Sequence, residues 1–185
     1  MINLSNVAIT KSIKLRFVEE EDAEFVLMLR TDQNKNKYLS QIGSALSDQR
    51  IWLRSYKLRE KSDLEYYYVI CDNNNEKLGL IRMYDFKGKK QSFCWGSWVL
   101  TQNSPFVAGI ESAITIYEIG FDICRFQESH FDVRKDNVKV LKFHRNFGAK
   151  QIGEDDLNFY FNFTVDNYES VKPKYSKFIK TPSHT

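Results

Sequence analysis

The chain has 185 residues with 42% hydrophobic and 15% aromatic content, enough to bury one substantial core and too apolar for a disordered polymer. A formal net charge of +3 is too small to point to nucleic acid, and Lys172, Lys174, Lys177 and Lys180 read as a solvated basic tail. Cys71, Cys94 and Cys124 are odd in number and widely spaced, so no disulfide framework or metal site is expected, nor a signal peptide or membrane span. The default compartment is a reducing cytoplasm.

Residues 13–18 alternate apolar and basic side chains, which predicts a half-buried strand. An acidic start at 19–22 opens a helix carrying Ala23, Phe25, Val26 and Leu29. Residues 31–43 are polar and irregular, with Tyr38 and Leu39 as anchors. Ser47 or Asp48 caps a second helix, through Ile51, Leu53 and Tyr56 to about Lys61. The period then changes. Aromatic and β-branched residues at 65–71 predict a strand, the Asn run from Asn73 to Asn75 a turn, and 78–86 the return strand of a hairpin. Residues 92–100 form the next strand, and a long apolar helix runs over about 107–123. A strand at 127–133, a helix after Asn137 and an aromatic closing strand at 158–165 complete the order. This alternation predicts an α+β domain over 1–185, with its core at about 13–165 and a tail at 166–185. The closing strand offers an edge for a possible homodimer, an intramolecular partner being the simpler expectation.

The stretch from Asp132 to Ala149 carries the most information. Val140, Leu141, His144 and Phe147 recur at helical spacing, Asp136 or Asn137 can cap the start, and Gly148 stands where a left-handed C-terminal cap avoids a Cβ. This strand, Asn, helix and Gly order resembles the second acetyl-CoA-binding segment of the GNAT superfamily, the acyl-CoA-dependent N-acetyltransferases. His144 stands where that family usually has Tyr, and Ala149 where it has Phe. The resemblance implies a mixed, mostly antiparallel sheet of six to seven strands with about four flanking helices. It also implies acetyl-CoA as co-substrate, transfer of acetyl to a primary amine, and a small-molecule amine rather than nucleic acid as partner.

On that resemblance, Trp98, Val99 and Leu100 would pair through their backbone with the pantetheine arm, and Asn137 would bond its amides. Ser104, Ala108, Gly109 and Ile110 would present backbone N–H groups to the diphosphate. The family's paired glycines and basic residue are missing there: only Gly109 remains, with no Arg or Lys between Lys90 and Arg125. His144 would protonate the departing thiolate, or else it is a hydrogen-bonded core histidine. Asp85 or Glu111 would take the proton of the incoming ammonium, with Glu65, His130 and Asp132 as further candidates, or each is a capping or solvated carboxylate. Tyr84, Trp95 and Tyr38 would contact the acceptor, the aromatics of the central strands serving as core or as a stacking surface. With Lys35, Lys37 and Arg50, these residues resemble the branch acting on nucleotide-linked amino sugars of surface-polysaccharide synthesis. A ribosomal-protein-type N-terminal acetyltransferase and a non-catalytic acyl-CoA-binding module are the alternatives.

Overall fold

The computed structural model describes residues 3–32, 38, 43, 45–88 and 91–180. The anchor expected at Leu39 and the cationic contacts expected of Lys35 and Lys37 lie outside them. The strands are β1 (Asn6–Val7), β2 (Ile13–Phe17), β3 (Tyr66–Asp72), β4 (Lys77–Lys87), β5 (Ser92–Leu100), β6 (Glu128–Arg134), β7 (Lys150–Glu154) and β8 (Asn158–Thr164). The helices are α1 (Ala23–Thr31), α2 (Leu46–Lys61), α3 (Phe106–Tyr117), α4 (Val138–Phe147) and α5 (Val165–Val171). All eight strands join one sheet in the order β1-β2-β3-β4-β5-β6-β8-β7. Every neighbouring pair is antiparallel except β5 and β6, which run parallel.

The α+β expectation holds, with β1 and β7 beyond the six to seven strands expected. Both had little apolar alternation to reveal them: β1 has two residues, and most of β7 is exposed. The aromatic closing strand is β8, and its partners β6 and β7 both lie within the chain.

The period of two along each strand divides the core between the faces of the sheet. Tyr66, Tyr68, Ile81, Met83, Phe93, Trp95, Phe131 and Phe163 belong to the core on the α3 and α4 side. Tyr67, Val69, Leu80 and Val99 pack with Val26 and Leu29 of α1 and Leu53 and Tyr56 of α2 on the other. Helix α3 continues as a π-helical turn, Glu118–Ile123. A Cβ on Gly120 of that turn would lie 2.3 Å from the Phe93 ring, so glycine is what lets the turn close on β5. At the end of α4, Gly148 adopts φ 99° in the left-handed cap expected of it.

The tail expectation is corrected. Thr164 and Asn167 form a capping box that starts α5, and a 3-10 segment, Lys172–Phe178, follows. Tyr168 is fully buried and its hydroxyl donates to Glu118 at 2.5 Å. Lys172 pairs with Glu118 and Asp122, Tyr175 stacks on Phe147 at 4.6 Å between centroids, and Ile179 bridges to Thr10. These aromatic and ion-pair contacts hold the segment on the body, which its high lysine content had concealed. Among the described residues no helix is long and apolar enough to cross a membrane.

Candidate active site

The site grows from an interruption in the sheet. Strands β5 and β6 pair only at Ser92 with Glu128 and at Phe93 with Ser129. Both strands then run on, to Leu100 and Arg134, without pairing to each other. At about 3.3 Å per residue the unpaired stretch of β5 is roughly 20 Å long. A β-bulge shapes it. Val99 pairs with Leu80 and Gly96 with Arg82, leaving Ser97 and Trp98 opposite one residue, and Ser97 takes φ 47°. The extra residue returns Trp98 to the face of Trp95, where their rings meet at 5.4 Å and the Trp98 indole N–H donates to Ser112 of α3.

The opening between the strands is a cavity of about 320 Å³ on the α3 and α4 side. Trp95, Trp98, Phe131, Val133, Val140 and His144 line it, with Asn137 and Lys139 towards its rim. Asn137 caps α4, its Oδ1 accepting from the Val140 amide at 3.4 Å, while its Nδ2 donates to no partner among the described residues. Tyr38 also reaches this cavity and donates to the Asp136 carbonyl.

His144 is buried against Phe131 at 4.2 Å and Trp95 at 5.3 Å between ring centroids. Burial pushes its pKa down to about 3, so the ring is neutral across the physiological range. Its Nδ1 has no hydrogen-bond partner among the described residues. The neutral ring therefore has no imidazolium proton to give at physiological pH.

At the mouth, β5 leads through residues 101–105 into α3. The diphosphate donors expected there need revision in detail. The Ala108 amide donates to the Pro105 carbonyl at 2.9 Å, and the Ser104 amide donates to the Thr101 carbonyl at 3.3 Å. The amides of Phe106 and Val107 have no acceptor among the described residues and belong to the exposed first turn. A Cβ on Gly109 would make ordinary 3.6 Å contacts with Leu100 and Trp98, so the chain's own packing does not demand glycine there. Ile110 is half-buried in the same helix. Arg134 and Lys139 supply positive charge to the cavity lining, beside the acidic Asp132.

The other face of the sheet holds a second cavity, of about 680 Å³. It forms where Ser92, Cys94, Glu128, His130 and Asp132 alternate away from the apolar face, joined by Tyr84, Asp85 and Tyr160. His130 Nε2 lies 2.9 Å from Asp85 Oδ2, and His130 Nδ1 lies 2.5 Å from Ser92 Oγ. The His130 ring holds the Asp85 carboxyl below its ordinary value, helped by Lys87 at 3.2 Å. Sequence reading named Asp85 and His130 separately and missed Ser92.

The remaining candidates fall elsewhere. Glu111 is buried and accepts from the amides of Ser12 and Ile13 at 2.8 and 3.1 Å, a tether between α3 and β2 that leaves it no opening to either cavity. Glu65 is buried between Arg59 and Arg82. Tyr84 and Trp95 sit on opposite faces, because Tyr84 pairs with Cys94 and Met83 with Trp95; they do not form one stacking surface. Tyr66 and Tyr68 are core.

With this geometry in place, the comparisons give the class. The acetyltransferase (GNAT) domain family matches residues 12–150, and the chain belongs to that family. A solved structure described as apo FdhC, a nucleotide-linked sugar GNAT, is 40% identical over 97% of this chain and 100% of that one, with a TM-score of 0.87. The spermidine N-acetyltransferase of Vibrio cholerae in complex with CoA and spermine shares the fold at 15% identity, over 85% of this chain and 98% of that one, with a TM-score of 0.73. Among curated proteins none matches. The chain is thus an N-acetyltransferase by family, on the fold of these solved structures.

The buried neutral state of His144 has a measurable consequence. Its folded pKa lies below the ordinary 6.5, so above pH 6.5 neither state binds the proton; below it the unfolded chain does and the folded one does not. Stability should fall between pH 6.5 and 3 by up to about 1.4 kcal/mol per pH unit from this residue alone. Urea unfolding of wild type and His144→Phe across pH 4–7 should show a flatter profile for the variant; equal profiles would contradict neutral burial.

Proposed function

We propose that the chain transfers an acetyl group from the thioester of acetyl-CoA directly to the primary amine of a nucleotide-linked amino sugar, of the kind used in surface-polysaccharide synthesis. The observation that carries this reading is the parted pair β5 and β6, whose pairing stops at Phe93 and Ser129. An unpaired strand edge offers N–H and C=O groups that an extended, amide-bearing pantetheine arm satisfies as a strand would. Trp98, Val99 and Leu100 supply that edge on β5, and Asn137, which lines the same cavity, bonds the arm's amides. The amides of Phe106 and Val107 receive the diphosphate at the start of α3, and Lys139 and Arg134 add charge from across the cavity.

The arm then runs from the mouth towards the vertex, which sets the thioester near Phe93 and the acceptor in the polar cavity behind it. His144, neutral and lining the apolar opening, packs beside the thioester end. The departing thiolate draws its proton from the reaction itself or from water rather than from an imidazolium. Support for the sugar class comes from the 40% identity, across nearly the whole chain, to a protein described as a nucleotide-linked sugar GNAT. Tyr84 and Tyr160, on the wall of the polar cavity, are aromatic surfaces available to a sugar ring there.

Thiol release from acetyl-CoA should be measured against three acceptor classes: nucleoside-diphosphate-linked amino sugars, polyamines, and peptides with free N-termini. The expected result is kcat/KM at least a hundredfold higher for a member of the first class. A preference for peptide or polyamine would overturn the sugar assignment.

The diphosphate assignment has its own test. Proline suits the first position of a helix, and Pro105 before it is already extended at φ −62° and ψ 145°. Phe106→Pro therefore deletes one amide donor while sparing the helix. Calorimetric titration should show acetyl-CoA affinity reduced roughly tenfold, the worth of one hydrogen bond to a charged group, at unchanged Tm. Unchanged affinity would remove this turn from the binding site.

A further inference from the structure

We infer that Ser92, His130 and Asp85 form a proton relay that deprotonates the acceptor amine, an assignment that rests on the acetyl-transfer reading above. Three observations carry it. The first is connectivity: Asp85 Oδ2, His130 Nε2, His130 Nδ1 and Ser92 Oγ form an unbroken chain of two hydrogen bonds, of 2.9 and 2.5 Å. The Asp85 carboxylate accepts from Nε2–H, which fixes the lone pair on Nδ1 and makes the Ser92 hydroxyl the donor to it. The second is position. Ser92 is half of the first of the two β5–β6 pairs, and His130 is the first β6 residue beyond the second, so the relay abuts the vertex where the strands part. The third is the compartment: both Ser92 and His130 line the polar cavity, on the sheet face opposite the apolar opening that holds His144.

The charges around the ring suit an arriving ammonium. Facing His130 are Tyr84 and Lys87 from β4, Cys94 from β5, Glu128 and Asp132 from β6, and Tyr160 from β8. Counting Asp85, three carboxylates stand against one ammonium, Lys87, itself paired with Asp85. A cationic amine is attracted to this cavity.

The proton balance follows. The bound ammonium yields one proton to Ser92 Oγ as the serine passes its own to His130 Nδ1, and the imidazolium releases it to solvent beside Asp85, which is half exposed. The neutral amine attacks the thioester carbonyl, forming the C–N bond. The adduct nitrogen loses its second proton through the same relay, the C–S bond breaks, and that proton ends on the CoA sulfur. One amide, one thiol and one free proton result.

The test compares wild type, His130→Gln, Ser92→Ala and Asp85→Asn in three measurements. Acetyl-CoA affinity is taken by calorimetry. Acetyl transfer is followed from pH 6 to 9.5 with uridine-diphosphate-linked glucosamine and with simple primary amines of graded pKa. Hydrolysis of acetyl-CoA, which needs no amine, is followed in parallel. Binding should be unchanged in every variant. Transfer should fall 10²- to 10³-fold in His130→Gln and at least tenfold in the other two at pH 7, the range of general base catalysis. The deficit should shrink as pH rises or amine pKa falls, because an amine already neutral needs less help. A deficit constant across pH and amine, or none at all, overturns the relay. So does a wild type that binds acetyl-CoA yet transfers to neither amine nor water. Failure of wild type to bind acetyl-CoA would overturn the parent reading instead.

Discussion

Two parallel strands that begin to pair and then part are the constraint on which this molecule depends. A parallel ladder gains its stability from evenly repeated hydrogen bonds, yet β5 and β6 stop after Phe93 and Ser129. Each strand is held from the outside. Seven residue pairs bind β6 to β8, from Glu128 with Thr164 to Arg134 with Asn158. The bulge at Ser97 swings the far part of β5 onto α3 through Trp98 and Ser112. Between them, the rings of Trp95, Phe131 and His144 fill the angle on one face. The unpaired backbone edges are costly without water or a ligand, and an extended chain of amides relieves that cost. The same break that weakens the sheet creates the site.

Strand alternation then separates the chemistry into two environments. On the α3 and α4 face, Phe131 and Val133 of β6, together with Trp95 and His144, give the opening apolar walls, while Asp132, Arg134 and Lys139 also line it. On the other, Glu128, His130 and Asp132 make a charged cavity suited to an amine that must lose protons. A thioester hydrolyses where water and base have free access, and an ammonium stays protonated where they are absent. In the proposed reaction each reactant would keep to its own side of the parted sheet and the two would meet at the vertex, which would reconcile these demands.

Much of this was readable from the chain alone. Apolar periodicity locates every long helix and six of the eight strands described, and the Asn137 cap and Gly148 stop appear as their residue types require. The short strands were not readable, because β1 has two residues and β7 is largely exposed. Nor was the packing of α5, whose lysine-rich surroundings hide Tyr168 and Tyr175. At the candidate site, contacts within one segment were legible in the sequence and contacts between strands were not. Asp85, Ser92 and His130 lie on three strands, and only the register of β4 with β5 and of β5 with β6 brings them together. Glu111 looked available because its sequence neighbours place it near the helix start, whereas the fold turns it towards the amides of Ser12 and Ile13. The cations missing before α3 are matched by Lys139 and Arg134, which the fold brings from the far wall.

Hydrogen–deuterium exchange with and without acetyl-CoA interrogates the parted strands themselves. Protection should rise at the unpaired backbone of residues 94–100, at the first turn of α3 and at the start of α4, with little change in β7 and β8. Unaltered exchange along 94–100 under saturating acetyl-CoA would mean that the arm does not complete the sheet, and the account built on the β5–β6 opening would fall.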